Sequence, residues 1–145
     1  MRTALFPGSF NPFTKGHADI VERGLKLFDR IVIAIGYNEQ KADTGDIDSR
    51  IAAIRSIYKD DKRVDVVAYS GLTTDAARQH NCCAILRSVR SVKDYEYELQ
   101  MADVNRQLSG IETVVLFARP ELASISSSMV RELQHFGHDI SEFLP

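Results

Sequence analysis

The run Ile31-Val32-Ile33-Ala34-Ile35 decides the fold, because consecutive apolar, mostly β-branched residues without polar alternation read as a strand buried on both faces of a parallel sheet. Such a strand needs helices above and below it, and its flanks supply them. Upstream, Ile20, Val21, Gly24, Leu25 and Phe28 step at three and four along one face of a helix expected to begin near His17. Downstream, a polar stretch from Tyr37 to Asp46 gives way to a helix marked by Ile47, Ile51, Ile54 and Tyr58. Further out the alternation continues. Strands are expected at Thr3 to Phe6, Val64 to Tyr69, Ala84 to Arg87 and Thr113 to Ala118. Helices are expected over Thr73 to Gln79 and from about Asp94 to Leu108. A last helix carries Met129, Val130, Leu133 and Phe136 and closes at Gly137 with a left-handed cap. The pattern predicts a single α/β domain over residues 1–145, a doubly wound five-stranded parallel sheet with helices on both faces.

Composition agrees with one soluble core. The 145 residues are 44% hydrophobic and 26% charged, and no apolar run approaches the ~20 residues a membrane span needs. Eighteen Lys and Arg nearly balance twenty Asp and Glu, so the net charge of -2 offers no diffuse attraction for nucleic acid. Any anion must be held locally. Cys82 and Cys83 are adjacent, which suits neither a disulfide framework nor a metal knuckle, and they read as free thiols. Pro7 and Gly8 arrive too early for a signal-peptide core, and the expected compartment is the cytoplasm.

In open α/β sheets ligands bind beyond the carboxyl ends of the strands, where the strand order reverses. The loop Pro7-Gly8-Ser9-Phe10-Asn11-Pro12, leading through Thr14-Lys15-Gly16-His17 into a helix N-terminus, therefore reads as a phosphate site. Neither common phosphate-loop consensus is present. His17 has two open readings at this point, a ligand-facing group or a core histidine capping the stripe that begins at Ile20. Lys41 reads by itself as a solvated surface cation. Arg87-Ser88-Val89-Arg90-Ser91-Val92-Lys93 spaces three cations by three residues, and its position favours anion binding over simple pairing with Asp94, Glu96 and Glu98. Ser124-Ile125-Ser126-Ser127-Ser128 opens the last helix, as a second phosphate-ready N-terminus or as ordinary capping. His135 and His138 read as helix-end surface. The long helix carries two apolar stripes, Tyr97, Met101, Val104 and Leu108 on one side and Tyr95, Leu99 and Ala102 on another, read as a wide core face or a subunit interface.

Taken together, Pro7 to Pro12, Thr14-Lys15-Gly16-His17, Leu86-Arg87-Ser88-Val89-Arg90, Asp94-Tyr95-Glu96-Tyr97-Glu98, Asn105-Arg106 and Ile125-Ser126-Ser127-Ser128 resemble, in order and spacing, the bacterial phosphopantetheine adenylyltransferases. These are nucleotidylyltransferases with an (H/T)-x-G-H motif. The resemblance covers almost the whole chain. It implies a Rossmann-like fold and transfer of the adenylyl group of ATP to 4'-phosphopantetheine, giving dephospho-coenzyme A and pyrophosphate, with Mg2+ on the nucleotide phosphates. It further implies that His17 stabilises the transition state, and that Ser9, Lys41, Thr73 and Arg87 hold phosphopantetheine. Ser9, Phe10, His17, Ser88, Val89, Arg90, Glu98, Leu122, Ala123, Ser124, Ile125, Ser126, Ser127 and Ser128 would contact ATP. The family assembles as a homohexamer, which favours the interface reading of the long helix; neither nucleic acid nor membrane is an expected partner.

The chain departs from the family pattern in four places. Ser9 stands where Thr is common, Asn11 where Asp is, Ser88 where Gly is usual, and Leu122 where many relatives carry Trp. If position 88 needs a positive φ, Ser88 would strain the loop. Two other readings remain open: the same chemistry on nicotinamide mononucleotide or glycerol phosphate, and a nucleotide-binding regulatory module without turnover.

Overall fold

A computed structural model describes residues 1–40 and 44–145. Strands β1 (Thr3–Gly8) and β2 (Arg30–Gly36) pair in parallel from Thr3 opposite Arg30 to Gly8 opposite Ile35. Residues 31–35 of β2 are all buried, as an unbroken apolar run requires. β3 (Val64–Tyr69) pairs with the far side of β2, while β4 (Ala84–Val89) returns to the free side of β1 and β5 (Glu112–Phe117) completes the edge. The order is β3-β2-β1-β4-β5, all parallel, so the winding reverses between β1 and β4.

Helices α1 (Lys15–Gly24), α2 (Thr44–Ile57), α3 (Thr73–Gln79), α4 (Val92–Ser109) and α5 (Ser127–His135) follow the five strands in turn. Two hydrophobic clusters fill the two faces. One packs Ile20, Val21, Ile47 and Ile54 of α1 and α2 onto Ala4, Phe6, Ile31, Ile33, Ile35 and Leu86; the other packs Ala76 and Ala77 of α3 onto Leu5, Val32, Ala34 and Ile85. Gly24 lets α1 lie close to the sheet, since a Cβ there would stand 2.8 Å from Ile31 Cδ1 and Leu86 Cδ2.

The sequence bounds hold for β3 and α3, and Gly137 closes α5 with φ 78° and its N–H on Gln134 O. Others shift. α1 starts at Lys15, two residues before the expected His17, because Thr14 caps it. β4 runs two residues past the expected end at Arg87, so Ser88 and Val89 also belong to the strand, opposite Leu116 and Phe117. Ser88 is extended, with no positive φ, and the strain considered for a non-glycine there does not arise. Lys41 lies outside the described residues. Among the described residues, no helix is long and apolar enough to cross a membrane.

Candidate active site

A cavity of about 300 Å³ opens at the reversal point, over the carboxyl ends of β1 and β4. Its floor is the loop after β1, and its geometry begins with a cap. Thr14 accepts the N–H of His17 through Oγ1 at 3.4 Å, and His17 reaches back to accept the Thr14 N–H on Nδ1 at 2.9 Å. This is the reciprocal capping box with His in the place usually held by Glu or Gln. Because Nδ1 is an acceptor, the neutral ring carries its proton on Nε2. The ring is wedged among Phe10, Phe13 and Phe6, with centroids 4.9, 5.4 and 6.3 Å away. Burial first, then the positive charges of Arg90 and Arg87, lower its pKa from 6.5 to about 4. Both readings of His17 hold at once: it is packed like a core histidine and it faces the cavity as a neutral N–H donor.

Phe10 is the strained element of this loop, with φ 47° in the left-handed region. Its ring lies on Gly8, where a Cβ would come within 3.0 Å of it. The loop carbonyls are taken up by side chains from elsewhere in the fold. Arg87 Nη1 donates to Pro7 O at 2.6 Å, Arg50 Nη1 to Ser9 O at 2.8 Å, Arg131 Nη1 to Asn11 O, and Ser127 Oγ to Pro12 O at 2.8 Å.

Arg87 also grips Glu98 with Nε and Nη2, at 2.8 and 2.7 Å. Glu98 is only 6% exposed, and this bidentate pair is what makes its burial tolerable. Arg90 pairs with Asp94 at 3.2 Å and reaches Ile125 O at 3.4 Å. Arg87 and Arg90 are thus both ion-paired and cavity-lining, where the sequence reading set one role against the other. The α5 N-terminus forms the opposite wall: Ser126 caps it by accepting the Met129 N–H, and Ser127 and Ser128 line the cavity. With α1 entering from the other side, two helix N-termini face the same space. Four arginines against three carboxylates among the described lining residues leave it cationic.

Most of the expected nucleotide residues line this cavity: Ser9, Phe10, His17, Ser88, Arg90, Glu98, Leu122, Ile125, Ser126, Ser127 and Ser128. Val89, Ala123 and Ser124 do not. Val89 is buried, and its carbonyl accepts the Ala118 N–H at 2.9 Å. Lys15 and Lys93 are exposed and stand apart from it. Of the expected acceptor residues, Thr73 lines a neighbouring cavity of about 180 Å³, together with Tyr69, Tyr97, Met101 and Asn105. Arg87 and Glu98 line both cavities, with Pro7 and Gly8, and their paired side chains stand between the two.

Residues missed by the sequence reading are Asp19, Arg119 and Arg131. Asp19, 11% exposed at its side chain, holds Arg119 at 2.7 Å and Arg23 at 3.0 Å. Asp19 and Arg131 look like ordinary helix-surface charges, and only the long-range partners reveal them. The lining carboxylates are each committed to an arginine, and no cluster of three metal-ligating side chains occurs among the described residues. This donor set suits a Mg2+ carried on phosphate oxygens and water better than a protein-built cage.

The comparisons with known proteins agree with this geometry. Residues 5–133 match the cytidylyltransferase-like family. A phosphopantetheine adenylyltransferase of Bacteroides thetaiotaomicron is 50% identical over 145 residues, all of this chain and 96% of that protein. One from Porphyromonas gingivalis is 52% identical over 142 residues, covering 98% and 93%. Among solved structures, a bifunctional NMN adenylyltransferase/ADP ribose pyrophosphatase from Francisella tularensis matches with TM-score 0.72 at 13% identity, over 99% of this chain and 44% of that one, which shows the shared fold. A capped histidine between two helix N-termini, set at the reversal of a parallel sheet and accompanied by such relatives along its whole length, makes this chain a member of the cytidylyltransferase-like family and, within it, of the phosphopantetheine adenylyltransferases.

Proposed function

We propose that this protein transfers the adenylyl group of ATP to 4'-phosphopantetheine, forming dephospho-coenzyme A and pyrophosphate, a step of coenzyme A synthesis. The observation that carries this reading is the wall that Arg87 and Glu98 build between two cavities. A two-substrate displacement needs its anions to meet at one point from opposite sides. The larger, cationic cavity takes ATP, with its phosphates towards His17, Arg90 and the α5 N-terminus. The smaller one, lined by Thr73, Tyr97 and Met101, takes the pantetheine arm.

The acceptor is a phosphate monoester dianion and needs no general base. One of its oxygens attacks the α-phosphorus in line, the bond from the α-phosphorus to the bridging oxygen breaks, and pyrophosphate leaves with that electron pair. Nε2–H of His17 donates to an α-phosphate oxygen as charge builds there. A neutral donor loses no proton to do so. Arg87 has five N–H groups, of which three are held by Glu98 and Pro7 O, so two remain for the acceptor phosphate beside Ser9. Lys41, outside the described residues, is assigned by the same resemblance to that phosphate. Mg2+, held by the ATP phosphates and water and not by a side chain, would neutralise part of their charge.

Two further features belong to this reading. Tyr95, Tyr97, Leu99, Met101, Val104 and Leu108 leave α4 apolar and exposed on both stripes, which supports assembly as the family's homohexamer. The cytoplasm is the compartment where such free thiols and such substrates fit. The test is an acceptor panel with ATP and Mg2+: pyrophosphate release with 4'-phosphopantetheine, and none above background with nicotinamide mononucleotide or glycerol phosphate. Release with one of the latter alone would reassign the acceptor, and release with none would leave a binding module.

A further inference from the structure

Among the described residues, four side chains hold carbonyls between Pro7 and Pro12, and three of them line the ATP cavity. Arg50 does not. It comes from the second turn of α2 and lines a separate cavity with Phe10 and Phe13 on the other side of the loop, with its side chain 15% exposed and Nη2 paired to Asp46 one turn earlier. Its Nη1 bond falls on Ser9 O, the carbonyl of the peptide that joins Ser9 to Phe10. That peptide leads into the left-handed residue of the loop, a conformation that a bulky L-residue rarely adopts and that persists only when its surroundings hold it. The Phe10 ring, 3% exposed between Gly8 and His17, fixes one end of it; Arg50 fixes the other.

We propose that Arg50 is a positioning residue for adenylyl transfer: by holding Ser9 O it keeps the Ser9 hydroxyl and the Phe10 ring that backs His17 in the reacting arrangement. Resting on the functional reading above, the inference also ties that arrangement to α2, the helix that follows Lys41 in the chain. Arg50 acts through the loop and touches no reacting atom.

The test compares R50A, R50K and D46N in the full-length protein. R50A is expected to fold with an unchanged far-UV spectrum and to lose roughly 10- to 100-fold in kcat, the range that a misplacement of about 1 Å produces, with both KM values within about threefold. Amide exchange over residues 8–13 should quicken by about tenfold while the sheet is unchanged. R50K, which keeps a donor within reach, should restore kcat to within about fivefold of the parent, and D46N, which keeps the clamp, should stay within about twofold. Turnover of R50A within about twofold of the parent, or a loss in D46N equal to that in R50A, would overturn the proposal. So would exchange quickened throughout the sheet. If the parent makes no dephospho-coenzyme A, the functional reading fails and the exchange arm still decides whether Arg50 holds the loop.

Discussion

The Thr14 N–H donates to His17 Nδ1 at 2.9 Å, and this bond leaves Nε2 as the imidazole nitrogen free to act as a donor. With Nδ1 occupied and the ring held neutral by burial beside Arg90 and Arg87, Nε2–H is a fixed donor. H17A should therefore fold and lose on the order of 10²–10³ in kcat, as when one preorganised donor is removed from a transition state. Steady-state kinetics with circular dichroism checks this, and near-normal turnover would remove His17 from the mechanism.

The same ring makes a pH prediction. Its folded pKa, about 4, lies below the unfolded value of 6.5, so between these the unfolded chain binds the extra proton. Stability should fall as pH drops through that window, by at most roughly 3 kcal/mol from this group, and should be indifferent to it above 6.5. Urea melts from pH 4 to 7 on the parent and on H17Q should show a shallower slope for the variant. Equal slopes would contradict the buried neutral ring.

Arg87 and Glu98 make a pair whose halves are unequal to lose. R87A leaves a buried carboxylate unpaired and frees Pro7 O, which should cost about 2–4 kcal/mol, a little below the fully buried case because Arg87 is partly exposed. It should also raise KM for phosphopantetheine by roughly tenfold or more while moving KM for ATP less. R87K should not rescue, since an ammonium cannot span Glu98 bidentately. Thermal melts and paired KM measurements separate the two effects.

Gly24 is where α1 meets the sheet. G24A would push a methyl to 2.8 Å from Ile31 and Leu86, and overpacking of this kind costs about 1–3 kcal/mol. The general preference of helices for Ala over Gly runs the other way, so a destabilised variant in a denaturant titration identifies the close approach as the stronger effect.

The layers of the sheet were legible because burial on two faces leaves an unbroken apolar run, as in β2, and burial on one face leaves a helical stripe, as in α1. The last two residues of β4 were not, since the polar Ser88 breaks the apolar run and only the ladder to β5, with Ser88 opposite Leu116 and Val89 opposite Phe117, carries the strand on. The residues that touch the cavity were largely readable from the loop after β1 and the serines before α5. Their supports were not. Arg50 and Arg131 hold carbonyls 41 and 120 residues away, and a side chain's bond to a distant backbone oxygen leaves no pattern in the sequence. His17 escaped a single reading because a capping box written with histidine joins a structural and a chemical role in one ring.

Direct displacement at the α-phosphorus by the phosphate of 4'-phosphopantetheine leaves a stereochemical record, since one in-line step inverts the centre and passage through an adenylylated protein retains it. Turnover of ATP made chiral at the α-phosphorus with sulfur, followed by the configuration of the thio-dephospho-coenzyme A formed, tests it most directly. Inversion is expected, with one pyrophosphate per product and no adenylylated protein. Retention of configuration, or the absence of that product, would contradict it.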